Sequence, residues 1–295
     1  MAKLISNNLS LEYESFGAPS DPTVILIAGL GFQLIDWPTE FCEAIAAQNF
    51  HVVRFDNRDI GLSQKLEEKG IPDMVRLMQQ LQTGEAPTVP YHLSDMAADV
   101  AGLMDGLEID AAHMVGMSMG GMIAQLMAIF YPEKLHSLTS IMSSSGNRHL
   151  PPSTPAATSV LMSAPASQAV EDVVEFGLQV NDVIGSPGFR WNRDALKDHI
   201  RACVTRNYSP SGYLRQYAAV MASNPRVSEL PGVTTPTLVI HGKDDPLVPY
   251  AAGEDTARLI PDAKLELVDG MGHDLSPALC VHLADLLIPH LAANR

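Results

Sequence analysis

The segment His113-Met-Val-Gly-Met-Ser-Met-Gly-Gly-Met-Ile-Ala124 constrains this chain more than any other. It reads as an apolar strand that runs into a Gly-x-Ser-x-Gly corner and leaves at once as a helix. Residues 112–117 are a short buried-strand run, while Met122, Ile123, Leu126, Met127, Ile129 and Phe130 form a helical stripe ending before Pro132. A strand that becomes a helix within one residue forces that residue into strained backbone angles, and Gly116 and Gly120 supply the clearance. The strain lifts a hydroxyl above the sheet, which makes Ser118 a candidate nucleophile. The bland alternative is a glycine-rich turn with a solvated serine.

Residues on either side predict the sheet that such a corner needs. Residues 3–16 alternate around Leu9, Leu11 and Tyr13 as an edge hairpin, and 23–28 is a continuous β-branched run of the kind found in central parallel strands. That run ends in Gly29-Leu30-Gly31; Pro38 then opens a helix through Phe41, Ile45 and Ala46, and 50–55 is the next strand. A helix is expected over 72–81, and Ser94 is expected to cap another whose apolar positions are Met96, Val100, Leu103 and Leu107. A strand over 135–142 follows the Ser118 helix. Beyond Ser143 the chain is Ser-, Pro- and Ala-rich to Pro165, then shows helical stretches at 170–180, 193–208 and 213–223 with no strand signal. Strand and helix alternate again over 236–240, 251–260, 264–268 and a last helix to Leu291. The expectation is an α/β fold with a mostly parallel twisted sheet flanked by helices. Its core spans 1–144 and 232–295, with a helical cap, 145–231, inserted between.

At 295 residues and 46% hydrophobic content, the chain can bury one large α/β core or two modest ones. A net charge of −15 repels polyanions, so neither nucleic acid nor an anionic membrane surface is an expected partner. The longest strongly apolar stretch, 24–32, is too short to span a bilayer, and no apolar leader follows Lys3, so a cytoplasmic location is the default expectation. Cys42, Cys203 and Cys280 are odd in number and widely spaced, with no Cys-x-x-Cys or His-rich clamp near them. They read as free, mostly buried thiols, and no metal is expected.

A serine hydroxyl needs a base, and the base needs an orienting acid, which in sheets of this kind come from loops after later strands. Two loops qualify: His241-Gly-Lys-Asp-Asp-Pro-Leu-Val-Pro249 after the strand ending at Ile240, and Asp269-Gly-Met-Gly-His-Asp274 after Val268. With the Gly29 loop, Arg54-Phe-Asp-Asn-Arg-Asp-Ile-Gly61, Gly116-Met-Ser-Met-Gly120, Asp245-Pro246 and Gly270-Met-Gly-His273, the chain resembles the α/β-hydrolases. Within them it is similar to the aclacinomycin methylesterase and proline iminopeptidase-like esterases, from about residue 10 to residue 290. The resemblance implies Ser118 as nucleophile, His273 as base and Asp245 as acid. Asp244 competes with Asp245, and the family acid matches the residue followed by Pro246. His241 is expected to be a packed or hydrogen-bonded residue, and His92, His282 and His290 surface or packing residues. Asp56, Arg58 and Asp59 are expected to tie their loop down.

The same resemblance implies an oxyanion hole made by the backbone N–H groups of Leu30 and Met119, each donor contributing about 3 kcal/mol. The family usually has His-Gly at the first loop, where this chain has Ala28-Gly29; the change removes a buttressing side chain and keeps the amide. The implied activity is that of a serine carboxylesterase working through an acyl-enzyme on small to medium uncharged acyl or methyl esters. It requires no cofactor. Lactones are an alternative substrate class. So are peptides with a free amino terminus, for which Glu171, Asp172 and Glu175 are available but read better as a solvated helix face. A non-catalytic small-molecule receptor on the same fold is the rival of another class. Dinucleotide binding at Gly29-Leu-Gly31 lacks the third glycine, Leu34 standing there. Met117, Met119, Met142, Met162, Met221, Phe189 and Trp191 offer apolar surface for a substrate, with core packing as the plainer role.

Overall fold

The computed structural model describes residues 1–295. The chain opens with a hairpin of β1 (Ala2–Ser6) and β2 (Leu9–Phe16), paired antiparallel with Ser6 opposite Leu9. Its two turn residues, Asn7 and Asn8, have φ of 47° and 62°, the left-handed pair that lets a two-residue turn match the twist of its strands. There follow β3 (Thr23–Ile27), α1 (Thr39–Ala46), β4 (His51–Phe55), α2 (Met74–Thr83) and α3 (Leu93–Gly106). Next come β5 (Ala112–Met117), α4 (Met119–Phe130) and β6 (Leu135–Ile141). Four helices precede the next strand: α5 (Pro155–Leu161), α6 (Val170–Ile184), α7 (Arg193–Arg206) and α8 (Pro210–Met221). The chain closes with β7 (Thr237–Gly242), α9 (Ala251–Leu259), β8 (Lys264–Val268) and α10 (Pro277–Ala293).

All eight strands form one sheet in the order β1-β2-β4-β3-β5-β6-β7-β8, with every neighbouring pair from β4 to β8 parallel. The order reverses at β3, which pairs with β4 on one side and β5 on the other. Chain leaving the carboxyl ends of β3 and β5 therefore diverges around a crevice, the usual place for a site in open α/β sheets.

The two-residue period of the strands sorts their side chains to opposite faces. Val24, Leu26, Val52, Val115 and Met117 pack with Trp37, Phe41 and Ile45 and with Leu279, Leu283 and Leu287, beneath α1 and α10. Ile25, Ile27, Val53, Phe55 and Met114 pack on the other face with Met96, Val100 and Leu103 of α3 and Ile123 and Met127 of α4. Each fully buried Leu or Ile contributes about 1.5–3 kcal/mol relative to exposure. No helix is long and apolar enough to cross a membrane.

Two local expectations are corrected. Helix α3 begins at Leu93, capped at His92 rather than Ser94, and the Asp95 side chain accepts the His92 N–H at 2.8 Å. The Ser/Pro/Ala-rich stretch contains α5, started by Thr154, whose hydroxyl accepts the Ala157 N–H at 3.3 Å, with Pro155 in the first turn.

The helices between β6 and β7 are fastened by buried polar side chains. Arg215 of α8, with no exposed side-chain surface, forks onto Asp59 at 2.8 and 2.9 Å, and the Tyr91 hydroxyl donates to the same carboxylate at 2.8 Å. Gln216 donates to the Arg58 carbonyl at 2.8 Å and accepts the Gly31 N–H at 3.0 Å. Arg206 of α7 reaches Asp56 at 2.8 Å.

Candidate active site

Ser118 lies between β5 and α4 with φ 52° and ψ −120°, a conformation that costs a non-glycine residue about 1–3 kcal/mol. The glycines around it are required by contact. A Cβ on Gly116 would stand 2.1 Å from the Gly120 carbonyl oxygen, and one on Gly120 would stand 2.1 Å from that of Ile27. The corner is held from β6: the Ser118 N–H donates to the Ile141 carbonyl at 2.9 Å, and the Ser143 hydroxyl donates to the Ser118 carbonyl at 2.7 Å. No local motif in the sequence marks Ser143 for this role, since its partner lies 25 residues away.

The loop after β8 brings His273 to this corner, with Nε2 3.0 Å from the Ser118 hydroxyl and Nδ1 2.7 Å from Asp245 Oδ2. A carboxylate can only accept, so Nδ1 carries the proton and Nε2 faces the hydroxyl as an acceptor. The other Asp245 oxygen accepts the N–H groups of Leu247 and Val248 at 2.9 and 2.8 Å. Burial acts to raise the Asp245 pKa, but the charges and hydrogen bonds of His273 and His241 outweigh it and hold the carboxyl well below the usual range. Between the two competing carboxylates, the structure sets Asp245 on His273. Asp244 instead accepts the Gly270 N–H at 2.8 Å, bridging the two loops.

His241 is wholly buried and donates from Nε2 to the Val248 carbonyl at 2.8 Å, with Asp245 Oδ2 at 3.5 Å. It braces the Asp245 loop, as its hydrogen-bonded reading expected. His92 caps α3, His282 stacks on Phe189 with ring centroids 5.6 Å apart, and His290 is buried in α10.

The loop after β3 passes directly beside the serine: a Cβ on Gly29 would lie 3.4 Å from the Ser118 Cβ and 3.9 Å from its Oγ. Leu30 follows. The loop is held by Asn57, which donates to the Ala28 carbonyl at 3.1 Å, by Gln216 at Gly31, and by Asp56, which accepts the Leu34 N–H at 2.7 Å. None of these contacts uses the Leu30 amide. The Met119 amide opens α4, where the first N–H groups have no partner within the helix. Backbone from both sides of the crevice thus stands close to Ser118. The first turn after this loop is the 3-10 turn Leu34–Asp36, with α1 starting only at Thr39, so no helix start lies on the glycines as a dinucleotide site requires.

Asp56, Arg58 and Asp59 tie loops together as expected: Asp56 also accepts the Leu62 N–H at 2.7 Å, and Arg58 forks onto Asp99 at 2.6 and 2.7 Å. Glu171 and Glu175 lie on the exposed face of α6, Glu171 paired with Arg201 at 2.9 Å, and Asp172 accepts the Ser167 hydroxyl at 2.5 Å. This is the solvated face expected of them. Met117, Met119 and Met142 are buried in the two cores, while Met162 is exposed, so the methionines do not converge on one surface.

Three features were not anticipated. Asp274, next to His273, accepts from the Ser186 N–H and hydroxyl at 3.1 and 2.5 Å and from Asn181 at 2.8 Å, fastening the histidine loop to the end of α6. Arg215 closes the Asp59 loop from a distance of 156 residues. All three cysteines are free and two of them are buried, as expected of them, but the histidine beside the third was not anticipated. Cys42 and Cys280 are buried, and burial pushes both thiols up to about 12. Cys203, however, is only half-buried and has His199 Nε2 3.6 Å from its sulfur.

A family model described as the alpha/beta hydrolase fold matches residues 22–182, more than half the chain, and one described as TAP-like protein matches residues 194–287. Rhodomycin D methylesterase DnrP of Streptomyces peucetius is 27% identical, covering 99% of this chain and 98% of that protein. RutD of Stutzerimonas stutzeri, provisionally named a carbamate hydrolase, is 27% identical over 96% of this chain and 97% of that protein. The enol-lactonase of Burkholderia xenovorans LB400, a crystal structure, superimposes with a TM-score of 0.72 at 20% identity, covering 99% of this chain and all of that one. With its sheet order, its serine corner and a family match over more than half its length, this chain belongs to the α/β-hydrolase fold family.

Proposed function

We propose that the chain is a carboxylic ester hydrolase in which Ser118 is the nucleophile, His273 the general base and Asp245 the orienting acid. The observation that carries this reading is the continuous relay from Ser118 through His273 to Asp245, at 3.0 and 2.7 Å. His273 takes the Ser118 proton as the hydroxyl oxygen attacks the ester carbonyl, and the N–H groups of Leu30 and Met119 receive the charge that grows on the carbonyl oxygen. The protonated imidazole, stabilised by ionised Asp245, gives its proton to the departing alcohol. Water activated by His273 then cleaves the acyl-enzyme. No step calls for a metal or an organic cofactor.

Residues 145–231 act as a cap over this site, and the substrate is a small uncharged ester, a methyl ester among them. The full-length similarity to a protein named as a methylesterase supports that class. The enol-lactonase neighbour makes a lactone the second class to assay, since ring opening uses the same steps. A cytoplasmic site of action fits the absence of any helix long and apolar enough to cross a membrane.

The test is hydrolysis of p-nitrophenyl esters of increasing acyl length, with a simple lactone in parallel, by the wild type and Ser118→Ala. Wild-type turnover that falls on the order of 10⁴-fold or more in the variant is the expected result. A folded Ser118→Ala that keeps its activity overturns the mechanism. Tight binding of an ester without turnover by the wild type points to a receptor instead.

A further inference from the structure

Away from Ser118, three side chains that the proposed mechanism does not use converge on one point. Asp36 lies in the 3-10 turn after the Gly29–Gly31 loop, and His199 and Cys203 lie on α7. Four residues apart, the last two share one face of that helix. His199 Nε2 is 2.9 Å from Asp36 Oδ1 and 3.6 Å from Cys203 Sγ, and the sulfur is 3.7 Å from the same carboxylate oxygen. We propose that Asp36, His199 and Cys203 bind a divalent cation of the zinc class, which staples α7 to the segment that follows the Gly29–Gly31 loop.

The ligand set and the spacing both favour this reading. One thiolate, one imidazole and one carboxylate suit Zn²⁺, and at its usual bond lengths tetrahedral ligand atoms stand about 3.3–3.6 Å apart. Both sulfur distances already match to about 0.2 Å, and the nitrogen–oxygen pair needs to open by about 0.4 Å. The fourth position falls to solvent, since the side chains of His199 and Asp36 keep 25% and 14% of their surface exposed. The competing chemistry for such a trio is a Cys-His-Asp nucleophile, and the geometry opposes it. That relay needs the two imidazole nitrogens to face different partners, whereas here a single nitrogen faces both the sulfur and the carboxylate.

Neighbouring groups hold each ligand in place, as outer partners do in metal sites. The Gln33 N–H donates to the second Asp36 oxygen at 2.7 Å, leaving the first aimed at the cluster. The Gln33 side chain donates to the Cys203 carbonyl at 2.7 Å, and the Trp191 ring stacks on His199 at 5.5 Å and 24°. Arg206, one turn along α7, is engaged by Asp56 at 2.8 Å and Gln33 at 2.7 Å. Binding displaces the Cys203 thiol proton to solvent, and the two anionic ligands then balance the charge of the ion.

The full-length reduced protein is titrated with Co²⁺, which takes zinc sites and gives a thiolate-to-cobalt charge-transfer band in the near ultraviolet. The expected result is a band saturating at one equivalent, displaced by Zn²⁺ and lost in Cys203→Ser. His199→Ala and Asp36→Asn each weaken Co²⁺ binding tenfold or more, which keeps the test decisive should Cys203→Ser fail to fold. Zn²⁺ also raises the melting temperature of the wild type more than that of any variant. The site is independent of the proposed ester chemistry, so Ser118→Ala gives the same titration. A wild type without the band, or a band that survives in folded Cys203→Ser, overturns the proposal.

Discussion

The serine corner and the junction that holds α5–α8 to the sheet are built on opposite principles. At the corner, backbone does the positioning: a strained φ at Ser118, glycines pressed against carbonyl oxygens, and the Gly29 loop passing beside the hydroxyl. At the junction, buried and half-buried side-chain charges do it: Arg215 on Asp59, Arg206 on Asp56, and Asp274 gripping Ser186 and Asn181. A backbone device is written in adjacent residues. A charge pair joins residues that the chain sets far apart, and each partner looks like an ordinary surface group until the fold buries it. The two regions should therefore fail differently when perturbed, the corner in turnover and the junction in stability.

The largest separation is expected at Asp245. Asp245→Asn removes the charge behind His273 and should lower kcat/KM on the order of 10³–10⁴-fold with the fold retained, as read from ester hydrolysis and circular dichroism. A loss below tenfold would remove Asp245 from the relay. The same carboxyl carries a pH signature. Its folded pKa lies below the unfolded value, so its contribution to stability is complete above the unfolded value and is lost as pH falls through the folded one. Below about pH 4 the wild type should lose melting temperature more steeply than Asp245→Asn.

Arg215→Met tests the junction, because it leaves Asp59 buried without its partner. It should destabilise by about 3–5 kcal/mol in urea unfolding. Turnover per folded molecule should change far less than in Asp245→Asn, and an equal collapse of both would erase the distinction drawn here. Gly120→Ala forces a methyl group onto the Ile27 carbonyl and should cost about 3 kcal/mol, with loss of activity in whatever fraction folds. The smallest effect belongs to Asp244→Asn, which weakens one hydrogen bond to Gly270 and should cost about 1 kcal/mol, with kcat/KM within tenfold of wild type.

These contrasts also explain what could be read from the amino-acid sequence. The strands are legible because β3, β5 and β7 are buried on both faces and so are rich in apolar residues. Ser118 was legible because its glycines are adjacent in sequence. In the sequence only the proline that follows separates Asp245 from Asp244, whereas in the structure Asp245 faces the imidazole and Asp244 accepts the Gly270 N–H. Helix α5 was hidden by Ser, Pro and Ala residues whose apolar stripe is too short to register, although Thr154-Pro155 is a start signal. Arg215 and the Asp36–His199–Cys203 cluster could not be seen, because their partners lie more than 140 residues away. The four-residue spacing of His199 and Cys203 on α7 is the one local hint.

The central claim is that Ser118 is an activated nucleophile, and the most direct measurement is covalent labelling by a fluorophosphonate with the adduct located by peptide mass spectrometry. One adduct per chain on Ser118, formed far more slowly in Asp245→Asn and not at all in Ser118→Ala, is the predicted result. A folded wild type that stays unlabelled, or that carries the adduct on another residue, would contradict the account.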